Sequence, residues 1–306
     1  MKNFVKLSAF ICVSLCLILF SCNQNKSSET PETILKGEAT VFVDETLTPI
    51  VEDQVAVFES EYQAKIKLQS KSEAETVLSL VNAKGGIAIM ARDLSAEELK
   101  VFRQRKIKPK VTPFATDAIA FVANKNTADT LVALQDVISF MKGQNVNGIK
   151  GLVFDNPNSS TVRFLLELAG LKDIPQTGIF SFKTNDEVIK HVAANDGLIG
   201  IVGVNWLSQP KPAMKQYIEN LVTLRVKGLK GDGYYLPSQN DIAEKKYPLA
   251  RDLYIINCQG YSGLGMGFAS FVGGDIGQRI VLKSGLLPIR IPTRKFTITN
   301  NQKDDK

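Results

Sequence analysis

Histidine and cysteine are scarce in this chain: its 306 residues include one histidine and four cysteines. The single histidine, His191, cannot build a histidine-rich zinc site. Two of the cysteines, Cys12 and Cys16, lie in an apolar segment near the N-terminus, which leaves Cys22 and Cys258 for the rest of the chain. A disulfide framework or a cysteine metal site needs more than these two residues. We therefore expect no metal centre and no cofactor, and we expect Cys258 to be a small buried apolar residue.

The apolar run Leu7–Phe20 is shorter than the roughly twenty residues that a helix needs to cross a bilayer. It follows Lys2 and Lys6 and ends just before Cys22, which is the arrangement of a secretory signal. The cysteine at the cleavage point resembles the lipobox of bacterial lipoproteins. We expect residues 1–21 to be removed as a signal peptide and Cys22 to carry a lipid; an uncleaved anchor is the alternative. In both cases the rest of the chain lies outside the cytoplasm, on the periplasmic side, tethered to a bacterial membrane.

The net charge of +6 is too spread out along the chain to favour nucleic acid as a partner. It is compatible with attracting a small anion. The length is sufficient for two lobes with separate hydrophobic cores. Residues 22–37 are polar and are expected to be a flexible tether, and residues 300–306 a disordered tail.

No segment rich in proline or glycine separates the two lobes, so we expect the chain to cross between them inside strands. One crossing is placed near Asp117–Ala123 and the return near Tyr247–Ile256. Lobe 1 is then predicted to contain residues 38–122 and 248–299, and lobe 2 residues 123–247.

Hydrophobic periodicity predicts strands that alternate with helices. The predicted strands are Glu38–Val43, Lys65–Gln69, Ile87–Met90, Val111–Ala123, Gly151–Phe154, Gly197–Val202, Leu221–Val226 and Leu253–Asn257. The predicted helices contain residues 51–62, 74–81, 134–141 and 268–282, and capping boxes at Ser95 with Glu98 and at Thr184 with Glu187 open two more. This order predicts an α/β fold whose sheets are mainly parallel and flanked by helices. Ligands of such sheets bind beyond the carboxyl ends of the strands.

Catalytic motifs fail in this sequence. The segment Gly260–Leu264 lacks the final glycine of a nucleophile elbow. Residues 143–150 have the glycine spacing of a phosphate loop, but Ile149 stands where the lysine must be. An enzyme is therefore not expected. A secreted hydrolase that uses Ser262 or Ser160 with His191 is the alternative from that class.

Polar residues follow three of the predicted strands at the point where a helix begins. These junctions are Asp44–Leu47, Ser70–Glu73 and Asn158–Thr161. The first backbone N–H groups of a helix have no partners within the helix, and they lie at the positive end of its dipole, so they favour an anion. Each junction alone is also explained by an ordinary N-cap. Three of them at one sheet edge favour an oxyanion site.

Several segments of the chain, and their order along it, resemble those of the PstS-like phosphate-binding proteins, the extracytoplasmic receptors of ABC-type phosphate uptake. The similarity spans residues 38 to 292 and rests on Asp44-Glu45-Thr46, Ala91-Arg92-Asp93-Leu94-Ser95, Thr116-Asp117-Ala118-Ile119-Ala120, Asn158-Ser159-Ser160-Thr161, the strand GLIGIVG at 197–203, Tyr247-Pro248-Leu249-Ala250-Arg251 and Gly277-Gln278. The resemblance implies a two-lobed periplasmic-binding-protein fold of the type II kind that closes on inorganic phosphate. It also implies a monomeric receptor that delivers phosphate to the subunits of a membrane permease.

The resemblance further implies a set of ligand contacts. The residues expected to bind phosphate are Thr46, the Leu47 amide, Ser72, Asp117, Asn158, Ser159, Ser160, Thr161 and Arg163, with Glu45, Arg92 and Asp93 as further candidates. Ser160 replaces a glycine of the family turn. The family arginine often precedes that turn, where this chain has Asp155, so Arg163 is expected to supply the charge instead.

An acidic residue is expected to accept the proton of hydrogen phosphate, with Asp117 as the first choice and Asp93 as the second. Arg92 is placed to pair with either acid or to contact the ligand. Sulfate at neutral pH carries no proton, so the same carboxylate would face only lone pairs and reject it. Another tetrahedral oxyanion as ligand, or a lipoprotein scaffold with a dead pocket, are the remaining alternatives.

Overall fold

A computed structural model describes residues 32–83 and 85–292 of the chain. The predicted signal peptide, the lipid site at Cys22, most of the tether and the polar tail lie outside the described residues. In the part that is described, no helix is both long enough and apolar enough to cross a membrane.

Strands alternate with helices through most of the chain. The strands are β1 (Lys36–Asp44), β2 (Gln63–Lys71), β3 (Ile87–Met90), β4 (Lys110–Asn124), β5 (Leu131–Ala133), β6 (Gly151–Phe154), β7 (Ile179–Ser181), β8 (Leu198–Gly203), β9 (Leu221–Thr223), β10 (Arg225–Lys227), β11 (Tyr234–Tyr235), β12 (Ala250–Asn257) and β13 (Leu287–Pro288). The helices are α1 (Thr48–Glu61), α2 (Glu73–Asn82), α3 (Ala96–Gln104), α4 (Leu134–Met141), α5 (Ser160–Ala169), α6 (Asn185–Ala194), α7 (Asn205–Ser208), α8 (Lys215–Ile218), α9 (Gln239–Ala243), α10 (Leu264–Val272) and α11 (Asp275–Lys283). Short 3-10 turns cover Glu45–Leu47 and Pro212–Met214.

One sheet passes through both lobes, in the order β2-β1-β3-β12-β4-β8-β6-β7, with β9 and β13 also paired to β4. The outer pairs are parallel: β1 lies between β2 and β3, and β6 lies between β7 and β8. The two long strands β4 and β12 are antiparallel to each other, and each is antiparallel to its outer neighbour. The two-lobed α/β architecture expected from the sequence is confirmed.

Two sets of hydrophobic cores meet at the middle of β4. The core around Val41, Phe58 and Phe114 lies on one side, and the core around Phe121 and Phe154 lies on the other. The change occurs between Ala115 and Ala118, which flank Asp117. The chain therefore connects its two halves through strands, whereas the lobe limits given from the sequence stay a prediction.

Local sequence signals position most elements. The capping boxes of Ser95 with Glu98 and of Thr184 with Glu187 are both formed. Cys258 is buried and unpaired, as expected. β3 and β6 have the limits that their apolar runs predict.

Two element predictions were wrong. The expected strand Leu221–Val226 is divided at Leu224 into β9, which pairs with β4, and β10, which pairs with β5. The expected helix across 268–282 is divided at Gly273 and Gly274 into α10 and α11. The turn between these helices is so tight that a Cβ at Gly277 would overlap the preceding backbone. Glycine is required there because it has no side chain to collide.

Candidate functional site

The centre of the candidate site is formed by three side chains from three separate elements. Thr46 lies in the 3-10 turn after β1, Ser160 is the first residue of α5, and Arg251 lies in β12. The hydroxyl oxygens of Thr46 and Ser160 are 2.9 Å apart. Arg251 donates from Nη1 to the Ser160 hydroxyl at 2.7 Å and from Nη2 to the Thr46 hydroxyl at 3.4 Å. All three residues are buried, so two hydroxyls and one positive charge converge inside the protein.

Asp117 fixes the guanidinium of Arg251. The two residues are cross-strand partners in the antiparallel register of β4 and β12. The Asp117 Oδ2 atom accepts hydrogen bonds from Arg251 Nη2 at 3.0 Å and from Nε at 3.3 Å. Burial raises the pKa of Asp117, and the positive charge of Arg251 opposes part of that rise. Among the described residues, the buried Oδ1 atom has no hydrogen-bond partner, so it can accept one from a ligand.

Asp155, at the end of β6, orders the first turn of α5. Its Oδ1 atom accepts hydrogen bonds from the hydroxyls of Ser159 at 2.5 Å and Thr161 at 2.6 Å. Ser159 is also the N-cap, because its oxygen accepts a hydrogen bond from the Val162 N–H. Burial raises the pKa of Asp155, and the two hydroxyl groups oppose the rise. The hydroxyls of Ser159 and Thr161 therefore donate hydrogen bonds to Asp155, while the hydroxyl of Ser160 between them accepts one from Arg251.

Asp44, the last residue of β1, is a second buried acid beside the centre. Its Oδ1 atom accepts a hydrogen bond from the Thr46 N–H at 3.3 Å, and Oδ2 has no partner within the described ranges. Burial, followed by the negative charge of Glu73, raises the pKa of Asp44 to about 7, and Arg251 opposes this. The carboxyl consequently binds a proton more readily than an exposed aspartate does, and a carboxyl group can donate a hydrogen bond to an oxyanion when protonated or accept one from it when ionised.

A carboxyl–amide contact joins the two lobes next to Asp44. Glu45 accepts a hydrogen bond from Asn185 Nδ2 at 2.7 Å and one from the Asn185 backbone N–H at 3.3 Å. Asn185 opens α6 and also donates to Asp155 Oδ2 at 3.2 Å. Burial, followed by the charge of Asp155, raises the pKa of Glu45 to about 8. Glu45 therefore holds its proton to a higher pH than an exposed glutamate does.

The turn that carries Thr46 is bound by the second lobe through its backbone. The Thr46 carbonyl oxygen accepts hydrogen bonds from Trp206 Nε1 at 2.9 Å and from Asn205 Nδ2 at 3.2 Å. Both donors belong to α7, which follows β8, and both are buried. These contacts hold the Thr46 hydroxyl in a fixed position relative to the start of α5.

Charged side chains form the rim of the site. Glu73 accepts hydrogen bonds from Arg163 Nε at 2.7 Å and from Arg92 Nε at 2.9 Å. The carboxylate side chain is 4% exposed, so this bridge between α2 and α5 is shielded from solvent. The backbone of the two lobes also meets here, because the Ala74 N–H donates to the Asn158 carbonyl at 3.3 Å. A cavity of about 450 Å³ lies beside these residues.

The three polar junctions expected at one sheet edge do meet. Thr46 contacts Ser160 across the lobes, and the hydroxyls of Thr48 and Ser70 are 2.9 Å apart. Of the residues predicted to bind phosphate, Thr46, Ser160 and Asp117 lie at the centre, with Ser159 and Thr161 directly behind Ser160.

Other predicted ligand residues have different partners in the structure. Ser72 forms a capping box with Glu75. Arg163 and Arg92 bind Glu73 at the rim instead of reaching the central hydroxyls. Asp93 is exposed, and its carboxylate accepts a hydrogen bond from the neighbouring Leu94 N–H.

Two more of the predicted contacts lie beside the centre. Asn158 is exposed, and its carbonyl serves the rim contact with Ala74. Leu47 is fully buried in the core of the first lobe. The roles assigned to all these residues stay predictions.

Sequence reasoning missed the cation that the structure places at the centre. Arg251 belongs to a segment that was noted for its resemblance, but no local pattern distinguishes it from a surface arginine on a strand. The acids Asp44 and Asp155 and the amide of Asn185 were also missed as site residues. Each of the three stands directly at a strand end or a helix start, and this position was a usable signal.

His191 and Ser160 have different contact partners. His191 packs against Phe182, with ring centroids 4.8 Å apart, and against Phe180 at 5.6 Å. Ser160 has hydrogen bonds to Thr46 and Arg251, and Ser262 is exposed. Among residues 32–83 and 85–292, no group of three or more histidine, cysteine or acidic side chains is arranged to hold a metal ion. The geometry suits the binding of a small oxyanion by hydroxyls and one guanidinium, beside buried acids whose pKa values are raised.

A profile of the PBP superfamily domain matches residues 28–275. Among solved structures, the chain is similar to a protein of Clostridium perfringens described as a phosphate ABC transporter substrate-binding protein with bound phosphate; the TM-score is 0.69 at 17% identity, covering 83% of this chain and 100% of that one. An ABC-type phosphate transport receptor from Vibrio cholerae gives 0.60 at 16%, covering 82% and 100%. The CcmR regulatory domain of Synechocystis, solved in complex with 2-PG, gives 0.51 at 12%, covering 78% and 96%. At these identities the likeness is one of fold. No curated protein sequence matches the chain.

Proposed function

The chain belongs to the PBP superfamily, and from this premise we propose that it is an extracytoplasmic receptor that binds inorganic phosphate between its two lobes. We propose further that it delivers the phosphate to an ABC-type permease. The solved structures from Clostridium perfringens and Vibrio cholerae, which are described as phosphate-binding components of ABC transport, support this choice.

The observation that carries the proposal is the position of Arg251. Its guanidinium contacts a hydroxyl from each lobe, Thr46 on one side and Ser160 on the other, at the carboxyl ends of β1 and β6. A tetrahedral oxyanion needs several donors that converge from different directions on adjacent oxygens, and charge-assisted donors bind it most strongly. Because the donors come from both lobes, a ligand held by all of them favours the closed arrangement.

Selectivity for phosphate over sulfate is assigned to buried acids that have one carboxylate oxygen free to accept a hydrogen bond. Asp117 Oδ1 and Asp44 Oδ2 are buried and have no partner at hydrogen-bond distance among the described residues, although Asn205 lowers the pKa of Asp117 and Ser160 lowers that of Asp44 from close by. Either atom can accept the proton of hydrogen phosphate, whereas sulfate brings no proton to share. An unpaired buried carboxylate facing sulfate would cost about 1–3 kcal/mol or more. Asp44 thus joins Asp117 as a candidate proton acceptor, ahead of the exposed Asp93.

Closure of the lobes is attributed to contacts on both sides of the centre. On one side Glu45 binds Asn185, and on the other Glu73 binds Arg163. Neither contact requires the ligand to participate directly. These two contacts stabilise the closed arrangement. A bound ligand adds its own contacts with both lobes and so shifts the population further toward the closed state.

Isothermal titration of the mature protein with phosphate, sulfate and molybdate tests the proposal. We expect tight binding of one phosphate per chain and no heat with sulfate. Binding of molybdate or sulfate in preference to phosphate would identify a receptor for another tetrahedral oxyanion. No heat with any of the three would contradict the receptor function altogether and favour a scaffold.

A serine hydrolase is the candidate from a different class. Ser160 has hydrogen bonds to Thr46 and Arg251, and His191, the base that this candidate requires, packs instead against Phe182. We expect no turnover of aryl esters. Activity that is lost in both the His191→Ala and the Ser160→Ala variants would revive the hydrolase.

Anchoring to the membrane is part of the proposal. A lipid on Cys22 would retain the receptor on the periplasmic side of a bacterial membrane. Labelling of expressing cells with a radioactive fatty acid should mark the parent protein, and the Cys22→Ser variant should be unlabelled. Equal labelling of both would refute acylation at this residue.

A further inference from the structure

Six basic side chains are concentrated in one short segment of the first lobe. Between Leu99 and Lys110 the sequence has cations at 100, 103, 105, 106, 108 and 110 and no acidic residue. All six side chains belong to exposed residues at the end of α3, the following loop and the first residue of β4. Only Arg105 has a fixed partner among the described residues, the carbonyl oxygen of Val81. We call this surface the basic end.

The basic end also has an apolar floor. A groove of about 480 Å³ is lined by Leu99, Ile107 and Pro109 together with three of the cations, Arg103, Lys106 and Lys108. Ile107 itself packs against the core of this lobe, so the groove is part of the folded structure. Cations around an apolar floor can bind an anionic head group while their methylene stems cover the apolar surface.

The described chain starts at the same end of the sheet. Glu32 accepts hydrogen bonds from Tyr261 OH at 2.8 Å and from the Leu264 N–H at 2.7 Å, at the start of α10. Glu32 is also connected to the basic end through β12. Lys110 pairs with Asn257 of β12, and Gln259, two residues further along the chain, donates a hydrogen bond to Glu32.

The segment after Glu32 is held closely by α10. A Cβ at Gly267 would overlap the backbone of Ile34, so the two backbones are in direct contact there. Ten peptide bonds connect Cys22 to Glu32, with nine residues between them. Even fully extended, they span no more than about 35 Å.

The basic end is opposite to the candidate site. β4 runs from Lys110 at the basic end to Asp117 at the site, and β12 runs back from Arg251 to Asn257. Seven residues of extended strand correspond to roughly 23 Å. At that distance, about three Debye lengths at physiological salt, the charges of the basic end are largely screened from the ligand site. They therefore need an explanation of their own.

We propose that the basic end is a membrane-binding surface that seats the first lobe on anionic phospholipid head groups, with the ligand cleft facing away from that bilayer. The charge pattern, the apolar-floored groove and the short connection to Cys22 at the same end of the sheet all agree with this orientation. The inference uses the proposed lipid anchor only to bring the surface to a membrane; the attraction to anionic lipid is a property of the fold itself.

Vesicle co-sedimentation tests the proposal. The protein is the chain from residue 22 onward with Cys22→Ser, so that no acyl chain contributes; the whole described fold is retained. The probes are vesicles of phosphatidylcholine alone and of phosphatidylcholine with 30% phosphatidylglycerol. We expect binding to the anionic vesicles only. We also expect this binding to weaken strongly as NaCl is raised from about 50 to about 500 mM, because the added salt screens the attraction between the cations and the lipid head groups.

A matched pair of triple variants separates the basic end from net charge. Arg103→Gln, Lys106→Gln and Lys108→Gln together should lower partitioning onto anionic vesicles about 100-fold, corresponding to roughly 1 kcal/mol for each near-surface cation. The control combines Lys142→Gln, Lys215→Gln and Lys230→Gln, three exposed lysines of the second lobe. It has the same net charge and should bind vesicles as the parent does.

Several results would overturn the proposal. These are no binding of the parent to anionic vesicles, equal binding to neutral vesicles, or equal loss in the two triple variants. Binding to heparin without binding to vesicles would assign the surface to a soluble polyanion and would also overturn it. Phosphate titration of the same three proteins is the internal reference: it should be unchanged by either triple variant, and a parent that ignores phosphate but binds vesicles would refute the receptor function alone.

Discussion

The hydroxyl oxygens of Thr46 and Ser160 lie 2.9 Å apart, although 114 positions separate the two residues in the sequence. One follows the first strand of the chain and the other starts a helix in the opposite lobe. Arg251 donates hydrogen bonds to both. The candidate site therefore consists of side chains from both lobes, and substitutions that weaken the contacts between the lobes should change affinity as clearly as substitutions at the centre.

Arg251→Lys should weaken phosphate binding by about 10- to 100-fold. The ammonium keeps the charge but cannot reach Ser160, Thr46 and Asp117 together as the planar guanidinium does. Lost charge-assisted hydrogen bonds are worth about 1.5–3 kcal/mol. Isothermal titration measures the change, and circular dichroism confirms folding. Arg163→Lys, the control at the rim, should have the smaller effect; the reverse order would make Arg163 the ligand cation.

Asp117→Asn or Asp44→Asn, whichever removes the acceptor of the phosphate proton, should reduce discrimination between phosphate and sulfate. An amide cannot accept the phosphate proton with both of its terminal atoms, and its N–H groups can donate to sulfate. We expect the ratio of the two dissociation constants to fall by about tenfold or more in at least one variant. Competition titration measures the ratio. Asp93→Asn is the matched control, because Asp93 is exposed, and an effect confined to it would move the proton acceptor to that residue.

Stability should decrease as the pH rises from 5 to 8.5. The pKa of Glu45 is raised from 4.5 to about 8 by burial and that of Asp44 from 3.8 to about 7. In this interval the folded protein binds more protons than the unfolded chain, so the stabilisation present below pH 4 is lost as the pH passes through 7 and 8. Urea unfolding at several pH values should show a loss of several kcal/mol, at about 1.4 kcal/mol for each unit of pKa difference.

Glu45→Gln should flatten this pH dependence, since the glutamine amide does not titrate and can still contact Asn185. Glu219→Gln, a change at an exposed residue, is the control and should leave the slope as it is. If the Glu45 variant keeps the full slope of the parent, Glu45 does not hold its proton in the folded protein at neutral pH.

Glu73→Gln should lower phosphate affinity without contacting the ligand. The carboxylate accepts hydrogen bonds from Arg163 and Arg92 across the rim, and its loss weakens the closed arrangement. Glu73 is 4% exposed and binds both arginines, so its loss should weaken the contact between the lobes more than the loss of an exposed pair would, and we expect about a tenfold loss. Glu167→Gln is the control. Glu167 is the other acidic partner of Arg163, but its side chain is 63% exposed, so the change should alter affinity less than twofold. Equal effects would show that the rim does not control closure.

The segments that the sequence predicted well are governed by local interactions. β3 and β6 appear with the expected limits because a short run of consecutive apolar residues suits a strand that is buried on both faces, and all four residues of each strand are buried. Ser95 and Thr184 open helices because a hydroxyl with a glutamate three residues later satisfies the free N–H groups within one turn. The division between α10 and α11 was missed although Gly273 and Gly274 marked it.

The choice of cation at the site was not local. Arg163 stands next to the polar turn in sequence, yet its guanidinium turns to Glu73, a residue of the other lobe. Arg251 is 91 residues from Ser160 and nevertheless donates to its hydroxyl. The register of β4 and β12, which sets Arg251 beside Asp117, depends on how two distant strands pair, and the residue pattern of either strand alone does not reveal it.

The sequence by itself determined the alternation of strands and helices, the helix caps and the three polar junctions, because these depend on hydrogen bonds and burial within a few neighbouring residues. Only the tertiary structure decided which side chains converge: Arg251 as the central cation, Asp44 and Glu45 as acids with raised pKa values, and the basic end as a single surface opposite the cleft. Burial and charge proximity between distant segments control these properties, and both exist only once the strands have paired and the lobes have met.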